Sequence, residues 1–412
     1  MLTVAQALEM VLQNVRPLPA ATATLGPDAL GLVLAEDIAS DLDLPPFDKA
    51  MMDGFALRAS DLRDGRTELT IIEEIPAGKT PTRTVAAGQA SRIMTGAPMP
   101  GGADAVVMIE RCEIAGQSVR VNEPRPASGM NVLPRGREMR VGETVLRAGT
   151  RIRPQELGLL AAVGRTSAKV QPRPSVAILP TGDELVDPSQ QPGPGQIRNS
   201  NGPMLVGQAA RAGATPRFLG IARDEIGHLR SLIAKGLRSD VLLLSGGVSA
   251  GKLDLVPGVL AELGVKPLFH KISMKPGKPL LFGVCSPHPP PLSQEERGAL
   301  VFGLPGNPVA SLVCFEVFVR SALRVMRGLP PGPSQVSATL TKDLPYRTDR
   351  TLYYPVRLSH SDAGFSAEPL AWFGSPDLRG TMSANAFAVL PEGECTVRPG
   401  ERIAVLRMEE ID

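Results

Sequence analysis

The sequence predicts a multidomain α/β and β protein, with a doubly wound α/β domain, a β-rich inserted domain, a linker domain and a C-terminal β-barrel. Strand-like and helix-like segments alternate over residues 173–329, an order typical of a parallel sheet covered by helices. Short alternating strands broken by glycine and proline occupy 41–139 and 330–412. We assign 1–40 and 140–172, which carry an opening helix and short extended pieces, to the linker domain.

Length and composition agree with several domains. A chain of 412 residues is too long for one ordinary core, and domain sizes predict roughly two to four. The 42 glycines and 40 prolines indicate many turns. Because 44 basic residues nearly balance 42 acidic ones, the net charge of +2 predicts neither a nucleic-acid nor a membrane partner.

The first helix is the first element to justify. Thr3 is a suitable N-cap, and Val4, Leu8 and Val11 recur at helical spacing after it. With its acidic Glu9, this stretch lacks the basic start and unbroken apolar run of a signal peptide. Since no stretch reaches the roughly 18 apolar residues that a membrane span needs, we expect a soluble cytoplasmic protein.

The β-rich insert and the α/β domain follow. Extended segments are predicted within 69–145, a short helix at 155–162, and a domain boundary at Pro172-Arg173-Pro174. A proline-rich polar stretch, 286–298, predicts a mobile insertion between the last two strands. The predicted strands are 175–179, 215–219, 240–244, 280–285 and 300–303, and the predicted helices are 202–212, 226–236 and 309–326.

Three polar, glycine-containing loops follow predicted strands of this domain. Ligands of doubly wound sheets bind outside the carboxyl ends of the strands, so we expect the three loops to open on one crevice. They contain Thr181-Gly182-Asp183-Glu184, Ser245-Gly246-Gly247-Val248-Ser249 and Pro305-Gly306-Asn307. Paired glycines let backbone amides approach a phosphate closely, although a tight turn alone also explains Gly246-Gly247. The sequence therefore predicts an anion site.

Acidic and basic residues near these loops suit metal-assisted phosphate chemistry. The carboxylates of Asp183, Glu184, Asp224 and Asp254 are hard oxygen ligands, which suit magnesium better than zinc. Each of them alone is also explained as a helix cap or a solvated charge. A loop held by proline and glycine carries Lys271, Lys275 and Lys278, which can contact phosphate or an oxyanion or can form a solvated basic turn.

The cysteines and histidines argue against other chemistries. Cys112, Cys285, Cys314 and Cys395 are far apart and form no CxxC pair, so neither a zinc knuckle nor a redox dithiol is predicted. The four histidines show no metal-binding spacing, and a Ser/His/Asp triad is not predicted.

Taken together in order, the motifs resemble the MoeA family, the bacterial molybdopterin molybdenumtransferases related to the C-terminal domain of gephyrin. The resemblance spans essentially the whole chain. It is carried by PFDKAMMDGFA (46–56), RIMTGA (92–97), PTGDEL (180–185), SGGVS (245–249), KPGKP (275–279) and GLPGNP (303–308).

The resemblance implies insertion of molybdate into adenylylated molybdopterin, with magnesium-assisted hydrolysis and release of AMP. It implies that Asp183, Glu184, Asp224 and Asp254 organise the metal and the ligand. The residues that it implies for binding pterin, phosphate or molybdate are Ser245, Gly246, Gly247, Ser249, Lys271, Lys275, Lys278, Pro305, Asn307 and Ser375.

The resemblance also implies a homodimer in which the β-rich insert, with Asp53 and Thr95 as catalytic residues, reaches the crevice of the other subunit. The expected partners are a molybdopterin adenylyltransferase and molybdoenzyme apoproteins or their chaperones. Ala50, Lys252 and Pro355 depart from the family pattern. Because an arginine that helps to hold molybdate is expected at 355, Arg350 and Arg357 are the candidate substitutes.

Two other function classes remain open at this point. One is a non-catalytic molybdopterin carrier or protein scaffold, which the gephyrin resemblance permits. The other is the adenylyltransferase that prepares the substrate, although that enzyme is usually a small chain without the insert and the barrel.

Overall fold

A computed structural model describes residues 1–62, 66–247, 254–285, 298–332 and 335–408. The chain forms two compact units. One comprises Met1–Ala23, Ala29–Ala35 and Lys169–Asp412, and the other comprises Thr24–Asp28 and Glu36–Ala168. No helix among the described residues is both long and apolar enough to cross a membrane. Apart from Gly298, the predicted insertion 286–298 lies outside the described residues.

Seven α-helices are described, and the first confirms its predicted cap. Thr3 Oγ1 accepts a hydrogen bond from Gln6 N (3.2 Å), and Gln6 Oε1 accepts one from Thr3 N (2.9 Å), which satisfies two exposed helix-end donors. The helices are α1 Val4–Gln13, α2 Pro154–Ala162, α3 Asn201–Arg211, α4 Ile226–Gly236, α5 Val256–Glu262, α6 Pro308–Cys314 and α7 Arg320–Met326, with a π-helix Phe315–Val319 between the last two.

The described strands fall into three stretches of the chain. The first stretch contains β1 Ala21–Thr24, β2 Val33–Leu34, β3 Ile38–Ala39, β4 Lys49–Ala50, β5 Gly54–Leu57, β6 Arg66–Ile75, β7 Gln89–Ile93, β8 Ala105–Met108, β9 Cys112–Ala115, β10 Ser118–Asn122, β11 Val132–Leu133 and β12 Thr144–Leu146. The second contains β13 Ser167–Gln171, β14 Ser175–Pro180, β15 Leu185–Val186, β16 Ile197–Arg198, β17 Thr215–Phe218, β18 Val241–Ser245, β19 Val265–Phe269, β20 Met274–Lys275, β21 Leu281–Cys285 and β22 Leu300–Leu304. The third contains β23 Gln335–Leu340, β24 Leu344–Thr348, β25 Thr351–Ser361, β26 Gly364–Pro369, β27 Ala386–Leu390, β28 Gly393–Val397 and β29 Arg402–Arg407.

The smaller unit is built on a six-stranded mixed sheet of order β8-β5-β7-β6-β10-β9. Only β6 and β7 are parallel, and the other neighbours are antiparallel. Alternate residues of β5 face two separate clusters, since Phe55 and Leu57 pack in one and Ala56 in the other. This sheet contains the extended segments that the sequence predicts, and the helix predicted at 155–162 is α2.

The larger unit contains the predicted doubly wound domain. Its sheet has the order β17-β14-β18-β22-β21-β19, and the first four strands are parallel. Ile178 and Leu243 pack with α1, α3, α6 and α7 on one face, whereas Leu179 and Leu244 pack with α4 and α5 on the other. Burial on both faces explains why these strands read as continuous apolar runs.

The far edge of this sheet differs from a purely parallel one. β21 runs antiparallel to β22, and β19 runs antiparallel to β21. The sequence prediction omitted β19, because Val265–Phe269 has exposed residues at its second and third positions and contains Pro267. Such a pattern lacks the simple alternation that identifies a strand.

A closed barrel follows the α/β domain. β25-β26-β23-β29-β27 pair in that order, and the pairing of β27 with β25 closes the ring, which confirms the predicted C-terminal barrel. Leu352 and Val356 fill the barrel, whereas Tyr353 packs in the core beneath α6 and α7. The short strand β20 adds to β25 in parallel, so that Lys275 lies beside Leu352.

A buried charge cluster joins the helical layer to the barrel. Glu316, which is 0% exposed, accepts hydrogen bonds at Oε1 from Gln208 Nε2 (2.7 Å) and Arg211 Nη2 (2.6 Å). Its Oε2 lies 3.1 Å from Arg320 Nε, and Arg320 donates from its Nη atoms to the carbonyl oxygens of Arg407 and Met408. The helix predicted at 309–326 is therefore continuous but changes to π geometry around Glu316.

We expect Glu316→Ala to lower the free energy of unfolding by about 3–5 kcal/mol, because it leaves the buried guanidinium of Arg320 without its carboxylate partner. Urea denaturation followed by circular dichroism measures the loss. Glu262→Ala is the matched control, since it breaks the exposed pair with Arg230 and should cost at most about 1 kcal/mol. Equal losses in the two variants would contradict the structural role of the buried cluster.

Candidate functional site

Three neighbouring parallel strands end at the same level of the sheet. Pro180 pairs with Ser245, and Ser245 pairs with Leu304, so the residues that follow them emerge side by side. Thr181 N donates to Ser245 O (2.9 Å), and Gly246 N donates to Leu304 O (3.2 Å). The three loops that the sequence singles out therefore meet at one edge, as a doubly wound sheet requires.

The glycine pair after β18 is needed for this close approach. Gly246 and Gly247 have φ angles of +87° and +62°, which side chains rarely adopt. A Cβ at Gly246 would lie 2.6 Å from Thr181 O, and one at Gly247 would lie 2.5 Å from Thr181 Oγ1. Packing against Thr181 thus explains both glycines, and their role in phosphate binding stays a prediction. Ser249 and Lys252 lie outside the described residues.

Asn201, the first residue of α3, connects two of the loops and was missed in the sequence prediction. Its Nδ2 donates to Ser245 Oγ (2.7 Å) and to Gly306 O (2.7 Å). Both contacts are more than 40 residues away in the chain. The only sequence signal is a polar asparagine-rich segment before an amphipathic helix, which reads equally well as a helix cap.

A cleft with a volume of about 630 Å³ opens at these strand ends. Its walls come from the three loops, from the lysine loop after β20 and from two segments of the barrel. The predicted site residues that line it are Glu184, Ser245, Gly246, Lys275, Lys278, Pro305, Asn307 and Ser375. Asp183, Asp224, Gly247, Asp254 and Lys271 are not part of this lining.

The four predicted acidic residues lie around the loops without forming a cage. Asp183 Oδ1 accepts a hydrogen bond from Asp224 N (3.2 Å), so these two adjoin, and the Glu184 carboxylate folds over Gly182. Asp254 Oδ1 lies 3.4 Å from the Cβ position of Gly247. Within the described part of the chain, no three His, Cys, Asp or Glu side chains are grouped to hold a metal.

These carboxylates could bind magnesium only if a bound ligand supplied further oxygen atoms to the same ion. It commonly binds through one or two carboxylates together with waters and substrate phosphates, rather than in an all-protein cage. Glu184, which lines the cleft, has the donor chemistry for that type of site, and the adjoining Asp183 and Asp224 lie next to it in the same loop region.

The lysine loop is fixed by close packing. Gly277 has a φ angle of +123°, and a Cβ there would lie 2.7 Å from the buried Cys314 Sγ. No side chain larger than that of glycine fits without moving the loop. The loop consequently presents the exposed Lys275 and Lys278 to the cleft from a defined backbone.

Arg350 is the arginine of the barrel that lines the cleft. Asp349 holds it through two contacts, Nε to Oδ1 (2.8 Å) and Nη2 to Oδ2 (3.0 Å), and the Arg350 guanidinium lowers the pKa of Asp349. Pro355 is buried in β25 opposite Phe387, and Arg357 lies opposite Glu368. Of the two candidate substitutes, the structure therefore brings Arg350 to the cleft and Arg357 to a different strand position.

The barrel also contributes Ser375. Asn307 Nδ2 donates to Ser375 Oγ (2.8 Å), and Val309 N donates to Ser375 O (3.1 Å). These bonds join the start of α6 to the barrel segment 372–375, of which Trp372, Gly374 and Ser375 line the cleft. Thr181 also lines the cleft. Neither Trp372 nor Thr181 was predicted as a site residue, because neither residue type indicates a binding site at these positions.

Asp53 and Thr95 adjoin each other within the smaller unit. Asp53 Oδ1 accepts hydrogen bonds from Thr95 Oγ1 (2.6 Å) and Thr95 N (2.7 Å). These two bonds, the hydroxyl first, lower the pKa of Asp53 below its ordinary value. The pairing of these two residues is a feature of the structure, whereas their catalytic role stays a prediction.

Comparison with known proteins gives consistent matches over the chain. Residues 2–164 match the MoeA N-terminal region (domains I and II), 177–325 match a probable molybdopterin binding domain, and 337–408 match the MoeA C-terminal region (domain IV). A molybdopterin molybdenumtransferase of Bacillus subtilis is 36% identical over 392 residues, covering 93% of this chain and 89% of that protein. The enzyme of the same name from a Nostoc species is 36% identical over 389 residues, covering 92% and 87%.

A solved structure agrees with these matches. The crystal structure of a molybdopterin biosynthesis MoeA protein from Pyrococcus horikoshii superposes with a TM-score of 0.82 at 31% sequence identity, and the match covers 100% of both chains.

We expect Thr95→Val to raise the pKa of Asp53 towards its ordinary value, because the substitution removes the hydroxyl donor. Because the pKa of Asp53 is lower in the folded state, the ionised carboxylate adds to the free energy of unfolding at pH values above its ordinary pKa of 3.8. This contribution disappears as the pH falls through the folded-state pKa. The variant should thus be less stable than the wild type at neutral pH and equally stable at the acid end. Carboxyl ¹³C NMR titration and urea denaturation check the two statements.

Thr82→Val is the control for this titration. Thr82 Oγ1 donates to Glu73 in the same unit and lowers the pKa of that residue in the same way. The control should shift Glu73 and leave Asp53 unchanged. An Asp53 titration that is the same in Thr95→Val and in the wild type would show that the hydroxyl is not the cause.

Proposed function

Because the chain belongs to the MoeA family, an enzyme family of molybdenum cofactor biosynthesis, we propose that it inserts molybdate into adenylylated molybdopterin. In this reaction the phosphoanhydride is hydrolysed, AMP is released and molybdenum cofactor is formed. The observation that carries the proposal is the cleft at the three strand ends, whose lining combines polar loop groups with Lys275, Lys278 and Arg350.

One wall of the cleft suits the phosphates of the adenylylated pterin. The loops after β14, β18 and β22 bring the Thr181 and Ser245 hydroxyls and the Gly306 backbone to one edge, and neutral donors in glycine-containing loops are common phosphate ligands. Asn201 holds Ser245 and Gly306 at fixed positions. Orienting the anhydride in this way contributes to catalysis because its reacting phosphorus is held in place.

The cationic part of the lining suits an oxyanion. Lys275, Lys278 and Arg350 are cations on the cleft, and Ser375 and Asn307 add neutral polar groups beside them. We assign to this part of the lining the capture of molybdate and the stabilisation of negative charge on its oxygens. Arg350 supplies there the guanidinium that Pro355 cannot supply. Lys271 is not part of the lining, and its assignment rests on the family motif alone.

Magnesium, when bound, would neutralise the anhydride oxygens. Asp183, Glu184 and Asp224 would hold it together with the phosphates, and Asp254, which lies near Gly247, would contribute a further carboxylate. The cations and the loop hydroxyls orient the attacking water or molybdate oxygen towards the anhydride, and no covalent intermediate with the protein is required.

The remaining assignments follow from the family. We propose a cytoplasmic homodimer in which Asp53 and Thr95 act on the ligand of the other subunit. The adenylyltransferase that makes the substrate and the apoenzymes or chaperones that receive the product are the proposed partners. A non-catalytic carrier or scaffold is the second candidate, because binding of the pterin requires the same cleft.

Incubation of the purified protein with adenylylated molybdopterin, magnesium and molybdate tests the proposal. We expect molybdate-dependent AMP release and reconstitution of a molybdoenzyme, and we expect chelation of magnesium to abolish both. Pterin binding without AMP release would favour a carrier and overturn the proposed enzyme.

Asp254→Ala and Asp53→Ala should abolish cofactor formation without changing the circular dichroism spectrum. Asp362→Ala, in the exposed turn between β25 and β26, is the matched control and should retain full activity. Wild-type activity in either of the first two variants would contradict the role assigned to that residue.

We expect Asn201→Ala to raise the KM for adenylylated molybdopterin about 30-fold, because two hydrogen bonds worth about 1 kcal/mol each are lost. The loops after β18 and β22 are then no longer tied together. Asn14→Ala removes a similar amide-to-carbonyl bond at the end of α1 and should leave the KM unchanged. Steady-state AMP release measures both variants, and an unchanged KM in Asn201→Ala would contradict this role.

A further inference from the structure

Trp372 is the only tryptophan of the chain, and it lies on the barrel side of the cleft. Its indole ring is half-buried and contacts both the core of the barrel and the core beneath α6 and α7. Tyr354 packs against it edge to face, with ring centroids 5.6 Å apart and an interplanar angle of 87°. Tyr354 is itself held by a hydrogen bond from its hydroxyl to Leu370 O (2.8 Å).

The polar atom of this ring is not satisfied. Trp372 Nε1 is buried and has no acceptor among the residues that the structure describes. Buried tryptophan N–H groups usually have a partner, so a donor left open beside a ligand cleft needs an explanation. Thr181 Oγ1 and Asn201 Oδ1, on other walls of the same cleft, also have no partner within the described ranges.

The surrounding segment is too well fixed for Trp372 to be a loose surface residue. Phe373 N donates to Asp377 Oδ2 (3.0 Å), and Ser375 is bonded to Asn307 and Val309 across to α6. These bonds anchor the backbone on the C-terminal side of Trp372, and Leu370 N donates to Pro355 O (3.2 Å) on its N-terminal side. Since Trp372 lines the cleft, a rotation of its side chain would bring Nε1 towards a bound ligand.

We propose that Trp372 is a ligand-binding residue of this cleft, whose indole N–H donates a hydrogen bond to an oxygen of a bound tetrahedral oxyanion. This inference rests on the proposed function, and it assigns a neutral donor to the wall that carries Lys275, Lys278 and Arg350. The cations attract any anion, since charge attraction has little directional preference. A single N–H with no other partner adds direction, and the bond it forms replaces no existing one.

Two sources of such an oxyanion are possible for this site, free molybdate and the terminal phosphate of the pterin. Intrinsic fluorescence distinguishes them, because Trp372 is the only indole. The full chain is titrated separately with sodium molybdate and with inorganic phosphate. A saturable change with one of the two anions supports the proposal and identifies the source, and no change with either overturns it.

Trp372→Phe tests the hydrogen bond directly, since it retains an aromatic ring and removes the N–H. We expect binding of the active anion, measured by equilibrium dialysis, to weaken about tenfold, equivalent to about 1.4 kcal/mol. If molybdate is the source, its KM should rise by the same factor with kcat unchanged. Unchanged dialysis in a folded variant would overturn the proposal.

Tyr354→Phe is the matched control. It removes the hydroxyl that bonds Leu370 O but retains the ring beneath Trp372, and Tyr354 does not line the cleft. Anion binding should stay within twofold of the wild type. Equal weakening in both variants would mean that packing of the barrel, not the N–H donor, determines affinity, and would overturn the proposal.

AMP release by the wild type is measured in parallel and separates the two proposals. If the wild type releases AMP but Trp372→Phe binds the anion as tightly as the wild type, only the role of Trp372 is overturned. If the wild type releases no AMP but Trp372→Phe binds the anion more weakly than the wild type, the proposed reaction is overturned and the anion contact of Trp372 is retained.

Discussion

The in-register ending of three parallel strands is the constraint on which the site depends. Pro180, Ser245 and Leu304 are paired across the sheet, so the loops that follow them all begin at the same edge of the sheet. Their separation is that of neighbouring strands, about 4.8 Å. This spacing leaves no room for a side chain between the first two loops, which is why Gly246 and Gly247 can pass Thr181. The cleft is thus a consequence of sheet geometry before any ligand chemistry is considered.

The buried charges at Glu316 determine how the barrel meets this edge. Removing charges from water is costly unless every partner is in place, and here the partners come from α3, α7 and the last strand of the barrel. Arrangements that separate these elements would leave Glu316 or Arg320 unpaired. The cluster therefore favours one docking of the barrel, and with it one placement of Arg350, Trp372 and Ser375 on the cleft.

The sequence predicted best what depends on local pattern. Apolar runs ending in Thr181-Gly182, Gly246-Gly247 and Gly306-Asn307 identified the central strands and their loops, because burial on both faces leaves a readable signal. β19 was missed because its apolar positions do not alternate. Asn201 and Trp372 were missed for a different reason. Their importance comes from contacts with residues distant in the chain, and neither asparagine before a helix nor a lone tryptophan is unusual in composition.

The family motifs added what periodicity could not, since they singled out Asp53, Thr95 and Ser375, whereas the hydrogen bonds between Asp53 and Thr95 were visible only in the structure. They were less informative where this chain departs from the family. Position 355 is a proline buried in a barrel strand, and only the three-dimensional arrangement shows that the guanidinium on the cleft belongs to Arg350. The structure also brings Lys275 and Lys278, but not Lys271, to the lining.

The tight packing of Gly246 and Gly247 against Thr181 has an evolutionary consequence. A mutation that adds a side chain at either position collides with the neighbouring loop, so we expect selection to retain glycine there. No backbone collision of this kind constrains Arg350 on the barrel side of the cleft. We therefore expect relatives with this fold to vary more readily at Arg350 than at the paired glycines.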